Sequence, residues 1–310
     1  YMNSMWASVK MQLFYQWKAK YLISLFISLI VMCVFSSYTQ YSSLHQKENR
    51  FDITMETYKQ DGITLKQALS EELKIKKDGN SEEISNSLKY DYYRVIAAKV
   101  ALNPLNAPNQ IFTSIAIIIL PILFGVYSCH VAFFDFKYRT IKNQLLLRGY
   151  KSFYFSKLIS IAIVAVATAL ITILLSIGIQ YLFNLLVGVQ PNTSVNYLSE
   201  LPLQFLYQSL VFILFGIFFF ILTILIRSTL ISIIMLFLYM FIVPNLGGYD
   251  LKNLMLLTIA KIYNTSASTM DVVSGVNTNI IVGYLIVITV CIVFTIISYK
   301  WNEKRLCPKL

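Results

Sequence analysis

The chain has 310 residues, of which 57% are hydrophobic and 13% charged, and its 26 Lys and Arg against 15 Asp and Glu leave a net charge of +11. Soluble domains carry about 25% charged residues, so this composition excludes an ordinary soluble domain. The apolar residues are clumped into runs about as long as a bilayer core is thick, which predicts an integral membrane protein.

In chain order, residues 1–20 come first. Met5, Trp6, Val9, Leu13 and Trp17 share one arc of a helical wheel, with Ser4, Ser8, Gln12 and Lys18 outside it. This pattern predicts an amphipathic helix lying in the inner membrane interface, anchored by Trp6 and Trp17. The segment is expected to stay on the chain and not to act as a cleaved signal.

Six apolar runs follow, at 21–38, 111–134, 158–183, 203–226, 229–246 and 280–299, with no Asp, Glu, Lys or Arg inside any of them. Lipid-exposed backbone must satisfy its own hydrogen bonds. Runs this long therefore predict helices, since barrel strands need only about ten alternating residues. The expected fold is all-α, a polytopic membrane protein with six transmembrane helices.

Residues 39–110 differ in kind, with ten bases and ten acids. Leu65, Leu69 and Leu73 recur at helical spacing, as do Ile84 and Leu88, and "KDGNS" is a turn signal. A small extracellular insertion of helical hairpins is expected, too short for a core of its own and leaning on other outer loops or on a second copy.

The stretch "FDFKYRTIKNQLLLRGYKSFYFSKL", residues 134–158, carries six bases against one acid between two spans. Tyr138, Ile141 and Leu145 share a helical face that Lys142 and Arg148 avoid, and Gly149 suits a left-handed helix C-cap. A short basic helix over 136–149 is expected beneath the membrane, with Lys157 as an interfacial anchor of the next span. Only residues 227–229 separate the fourth and fifth runs, which forces a tight turn on the inner side. In "LKNLMLLTIAKIY", Leu251, Leu254, Met255, Ile259 and Ile262 share a face while Lys252, Asn253 and Lys261 avoid it. At a dozen residues this is too short to cross, and a re-entrant outer segment over 247–277 is expected before the last span.

With the N-terminus inside, the inner segments hold 14 bases against Asp135 and Glu303, and the outer segments hold 12 bases against 13 acids. That positive-inside asymmetry places both termini in the cytoplasm of a cell-membrane protein. The bases are spread over several juxtamembrane segments and form no single patch, which argues against nucleic-acid binding. No Gly-rich loop with Lys-Ser/Thr is present to hold a nucleotide, only two histidines exist, and the four cysteines lie in or near spans or in the tail. No charge sits mid-span to mark a proton or sodium path. No enzyme activity, cofactor or metal is expected in this chain, and any transport would draw its energy from elsewhere.

"TIKNQLLLRGYKSFYFSKLIS" resembles the cytoplasmic segment of ABC-2-type permeases, the membrane subunits of ATP-binding-cassette exporters. The matching positions are Asp135, Thr140, Lys142, Asn143, Leu147, Gly149, Tyr154, Phe155 and Lys157. The resemblance implies that 136–149 is a coupling helix docking on a separate ATPase subunit, which would hold the ATP and Mg. Lys137, Tyr138, Thr140, Ile141, Lys142, Asn143, Leu145, Arg148 and Gly149 would form that contact, and the basic tail 300–309 would also reach the ATPase. Two copies, or this chain with a sister permease, would line the pathway. The long insertion 39–110 departs from the small members of the family, whose first outer loop is brief.

The spans are aromatic, as in "FGIFFF" at 215–220 and at Tyr127, Phe133 and Phe134. Phe215, Phe218 and Phe219 are the candidate pathway residues for an amphipathic or hydrophobic cargo, such as an antimicrobial peptide or a lipophilic drug. The same phenylalanines would equally serve as a lipid-facing stripe. The alternatives are a permease for lipid or polysaccharide, and a membrane sensor or scaffold whose insertion binds a ligand.

Overall fold

The computed structural model describes every residue except 1, 74, 79–80, 115, 193–196, 244–246, 264–278 and 307–310. In chain order the helices are α1 (Met2–Lys18), α2 (Tyr21–Gln60), α3 (Leu65–Ser70), α4 (Ser87–Ala101), α5 (Ala107–Thr113), α6 (Ala116–Lys137), α7 (Ile141–Val187), α8 (Leu201–Ile226), α9 (Thr229–Phe237), α10 (Leu251–Ile262) and α11 (Ile280–Leu306). A 3-10 turn (Pro104–Asn106) precedes α5, and a π-helical turn (Leu238–Ile242) ends α9. Two short strands, β1 (Ile75–Asp78) and β2 (Ser81–Ile84), pair antiparallel between α3 and α4. The protein is thus almost entirely helical. That hairpin corrects the expectation of helices alone, because Ile84 belongs to β2 and is no helical partner of Leu88.

Among the described residues, five helices are long and apolar enough to cross a membrane: Tyr21–Gln60, Ile117–Lys137, Ile141–Val187, Leu201–Ile226 and Ile280–Leu306. The fifth apolar run of the sequence behaves differently. It forms nine α-helical and five π-helical residues, about 20 Å at 1.5 Å per residue, against a hydrocarbon core of about 30 Å. Two further boundaries move. The helix of the first apolar run continues unbroken past residue 38 to Gln60, and the helix of the third run is continuous with the basic segment before it except for a kink at Gly149.

The chain divides into two compact units, Tyr1–Val31 with Ile111–Ile173 and Glu200–Leu310, and Met32–Gln110 with Leu174–Ser199. Unit 2 is held by Leu44, Val95, Ala98 and Leu102, with Phe51 and Val189 packed against them. Asn184 near the end of α7 donates to the Leu102 carbonyl (2.8 Å), so α4 is closed off by the second segment of its own unit. Asn86 caps α4 by accepting from Lys89 N (3.0 Å), and its amide donates to Ala68 O (2.7 Å), tying α3 to α4.

In unit 1, α6, α8 and α9 pack together through small residues. A Cβ at Gly216 would come within 2.7 Å of the Phe124 ring, and one at Gly125 within 2.9 Å of Leu236. Ser128 Oγ donates to Gly216 O (2.6 Å) across the same seam. Apolar helices in a membrane gain little from burying more apolar surface, so close backbone approach and interhelical hydrogen bonds hold them instead.

Candidate functional site

The connection between α6 and α7 is three residues long, with Arg139 in the left-handed region at φ 55°. Thr140 secures it twice: its N–H donates to Asp135 O (3.0 Å) and its hydroxyl to Asp135 Oδ1 (2.7 Å). The other carboxylate oxygen of Asp135 meets Lys157 Nζ at 2.6 Å, with both side chains 1% exposed. Lys157 also donates to Val131 O (3.1 Å) and Ala132 O (3.3 Å), and its ammonium lies 4.9 Å from the Phe153 ring centroid. Two backbone carbonyls and one carboxylate oxygen therefore lie within reach of the ammonium. Lys157 was expected as an interfacial anchor. The structure instead places it inside the protein, where it meets the Asp135 carboxylate and the Val131 and Ala132 carbonyls in the last two turns of α6.

Gly149 breaks α7 with φ 71° and ψ 157°. The positive φ matches the expected cap, but the extended ψ makes a kink between two helical segments instead of a left-handed cap. A Cβ there would touch nothing, so the backbone and not crowding demands glycine.

Segment 141–148 is a short helix, and its exposed face is not the expected one. Leu145 is buried (5% exposed) and Ile141 half-buried, while Leu146 and Leu147 stand 72% and 76% exposed beside exposed Lys142 and Asn143. Lys137, Tyr138 and Arg139 are exposed at the turn. The burial of Leu145 follows from a neighbour unseen in the sequence pattern. Buried Gln144 donates to Tyr15 Oη (3.5 Å), and half-buried Arg148 contacts the Met11 sulfur, so this side of the segment lies on α1. Three consecutive leucines in "QLLLRG" carry no periodicity that would say which one faces in.

α1 itself docks by its polar side. Ser8, Gln12 and Gln16 are buried, while Trp6, Phe14 and Trp17 are more than half exposed. Gln16 donates to Ser160 Oγ (2.8 Å) and accepts from Tyr127 Oη (2.6 Å), and the Ser8 and Ser152 hydroxyls are 3.1 Å apart. Trp6 and Trp17 remain free to meet lipid. Ser8 and Gln12, expected off the apolar arc, thus form part of a buried seam beneath them, together with Gln16.

The aromatic pair Tyr154 and Phe155, with Tyr150, surrounds Tyr299 of α11 at centroid distances of 5.5, 5.7 and 5.1 Å. Arg227 ends α8 in the left-handed region, as a two-residue turn into α9 requires. Its guanidinium donates to Asn302 Oδ1 (3.4 Å) and lies 5.5 Å from the Phe136 ring. The ends of α6, α7, α8 and α11 are therefore cross-linked around the basic segment, which hangs from a braced platform.

The candidate pathway residues lie elsewhere in unit 1. Phe215 and Phe219 are buried and Phe218 is partly exposed. They line a cavity of about 430 Å³ with the π turn, Gly247–Leu251 and α11. α10 forms as expected over Leu251–Ile262, burying Leu254, Met255, Thr258 and Ile259; Asn253, expected to face out, is buried and donates to Gly247 O (2.7 Å). Positions 264–277 of the expected re-entrant segment, and 307–309 of the basic tail, lie outside the described residues. Among the described residues no three His, Cys, Asp or Glu side chains are grouped to hold a metal.

Compared with protein-family models, with curated proteins and with solved structures, the chain matches none.

Proposed function

We propose that the chain is the transmembrane permease subunit of an ABC exporter, moving an amphipathic or hydrophobic substrate outward under the power of a separate cytoplasmic ATPase. The observation that carries this reading is the α6–α7 connection. Two adjacent leucines stand about three-quarters exposed on a short basic helix between two helices long enough to span. Exposed apolar pairs on rigid supports are what a partner protein grips, and the Asp135–Lys157 pair and α1 supply the rigidity. The motor contact then runs through Lys142, Asn143, Leu146 and Leu147, with Tyr138 at its edge. Ile141 and Leu145 hold the peg to its own protein.

The distribution of charge supports a cytoplasmic location for this corner and for both ends of the chain in the cell membrane. ATP and Mg would be bound by the partner, and a second copy or a sister permease would complete the pathway. The outward face of α11, with Ile281, Leu285, Ile296 and Ile297 each at least half exposed, suits such a neighbour or lipid.

The test is co-expression with an ATP-binding-cassette ATPase encoded beside it, comparing the native chain with Leu146→Asp/Leu147→Asp. Both side chains are exposed, so the variant is expected to fold with unchanged thermal stability while losing co-purification and stimulated ATP hydrolysis. A variant that still assembles and hydrolyses like the native chain sinks the proposal and leaves the sensor or scaffold reading ahead.

A further inference from the structure

The turn from α1 into α2 holds Lys20 in the left-handed region at φ 63°, with its N–H donating to Trp17 O (2.9 Å). Just beyond it, α2 and α6 enclose a second cavity of about 360 Å³. Ser24 and Ser28, one turn apart on α2, are small enough to leave it open. Its volume lies within the range of about 300–1,000 Å³ typical of ligand pockets.

The polar residues of this cavity cluster towards α1. Tyr127 and Ser28 spend their hydroxyl protons on Gln16 Oε1 (2.6 Å) and Ser24 O (2.9 Å). The side chains of Lys20, Tyr21, Ser24 and His130 bond to no described residue. His130 is half-buried against the Tyr21 ring at 5.3 Å, and its unpaired ring nitrogens remain accessible. All four groups can donate a hydrogen bond, and no Asp or Glu is among the described residues lining the cavity. The remaining wall, Leu25, Val126 and Leu123, is apolar.

Depth separates the two halves. Trp17 and Lys18, just before the turn, are exposed, and these residue types mark a headgroup level. Ser28 lies about 10 Å further along α2 than Tyr21. The cavity thus reaches from the headgroups into the first part of the hydrocarbon.

We propose that this cavity binds an anionic phospholipid from the leaflet in which α1 lies. The phosphate accepts from Lys20, Ser24 and His130, and one acyl chain passes Leu25, Val126 and Leu123 into the bilayer. Basic pockets between spanning helices suit such headgroups. A free phosphate would leave the apolar half empty, and a cationic amphiphile would meet only donors. The site needs neither an ATPase nor the exporter reading.

The probe is phosphatidylglycerol with a diazirine high on one acyl chain, irradiated with the full chain in phosphatidylcholine nanodiscs without ATPase. Labelled positions are read by peptide mass spectrometry. Labelling is expected on α2 and α6 around Leu25 and Val126, displaced by phosphatidylglycerol but not by added phosphatidylcholine or inorganic phosphate. Lys20→Gly keeps the left-handed turn at no steric cost and should reduce the label about ten-fold, as loss of a charge-assisted hydrogen bond implies. Ser24→Trp, which fills the cavity and leaves Lys20 and His130 in place, should abolish it. Lys10→Ala removes the same charge from an exposed position of α1 outside the cavity and should leave the label nearly unchanged. Labelling unchanged in Lys20→Gly and Ser24→Trp, lowered equally by Lys10→Ala, or spread evenly to Ile296 and Ile297 means bulk lipid contact only and overturns the proposal. Equal displacement by phosphatidylcholine overturns the anionic assignment, and displacement by inorganic phosphate overturns the lipid. The absence of ATPase keeps these outcomes separate from the Leu146/Leu147 experiment.

Discussion

In unit 1 the Asp135–Lys157 pair is withdrawn from solvent, with both side chains 1% exposed. In unit 2 the pairs lie progressively further out: Arg50–Asp91 at 59% and 2%, then Lys99–Glu48 at 42% and 37%. The three contact distances, 2.6, 3.3 and 3.2 Å, differ far less than the surroundings do. The pair exposed on both sides, Lys99–Glu48, is screened by water and salt and adds little stability. The buried pair had to be stripped of water, which largely cancels its attraction, but once formed it cannot lose one partner cheaply. It therefore acts as a geometric lock on the α6–α7 corner more than as a source of net stability, while in unit 2 Arg50–Asp91 has one partner buried and Lys99–Glu48 lies at the surface on both sides.

Removing one partner at each level tests that gradient. Lys157→Met should be the most damaging, costing about 3–5 kcal/mol because Asp135 is left buried and unpaired. Thermal unfolding in detergent measures it, and Asp135→Leu added to Lys157→Met should recover most of the loss. A double variant as unstable as the single one would show that burial is not the cause. Arg50→Ala comes next. It leaves buried Asp91 with Thr54 as its remaining donor at 2.9 Å, at a cost towards the low end of about 1–3 kcal/mol, since solvent already reaches Arg50. Lys99→Ala should fall within about 0–1 kcal/mol, and its effect should vanish in high salt. If Lys99→Ala proved as costly as Lys157→Met, exposure would not be what separates the two units.

Much of the fold was legible because it rests on local rules. The run lengths announced α6, α8 and α11; the short gap after Ile226 announced the turn at Arg227; and the apolar spacing in "LKNLMLLTIAKIY" announced α10. What the sequence hid depends on partners far along the chain. Lys157 reads as an anchor until Asp135 is found beside it. Ser8 and Gln12 read as a polar face turned away from the protein until Ser8 is found beside Ser152, and Gln16, which the spacing did not single out, beside Ser160 and Tyr127. The exposed side of segment 141–148 was invisible because α1, more than a hundred residues away in sequence, decides which leucine is covered. The fifth apolar run was counted by composition, and composition does not register a π turn that ends it early.

The docking of α1 has a consequence for how the protein is made. Its bonds to Ser152 and Ser160 join residues 144 positions apart. At translation rates of about 5–20 residues per second, roughly 7–30 s separate the synthesis of α1 from that of its seat. For that interval the serine and glutamine seam has water as its partner and the two tryptophans have lipid. α1 is thus placed only after residue 160 has been made, and its outward aromatic face serves as a mooring during synthesis before it serves as a surface of the finished protein.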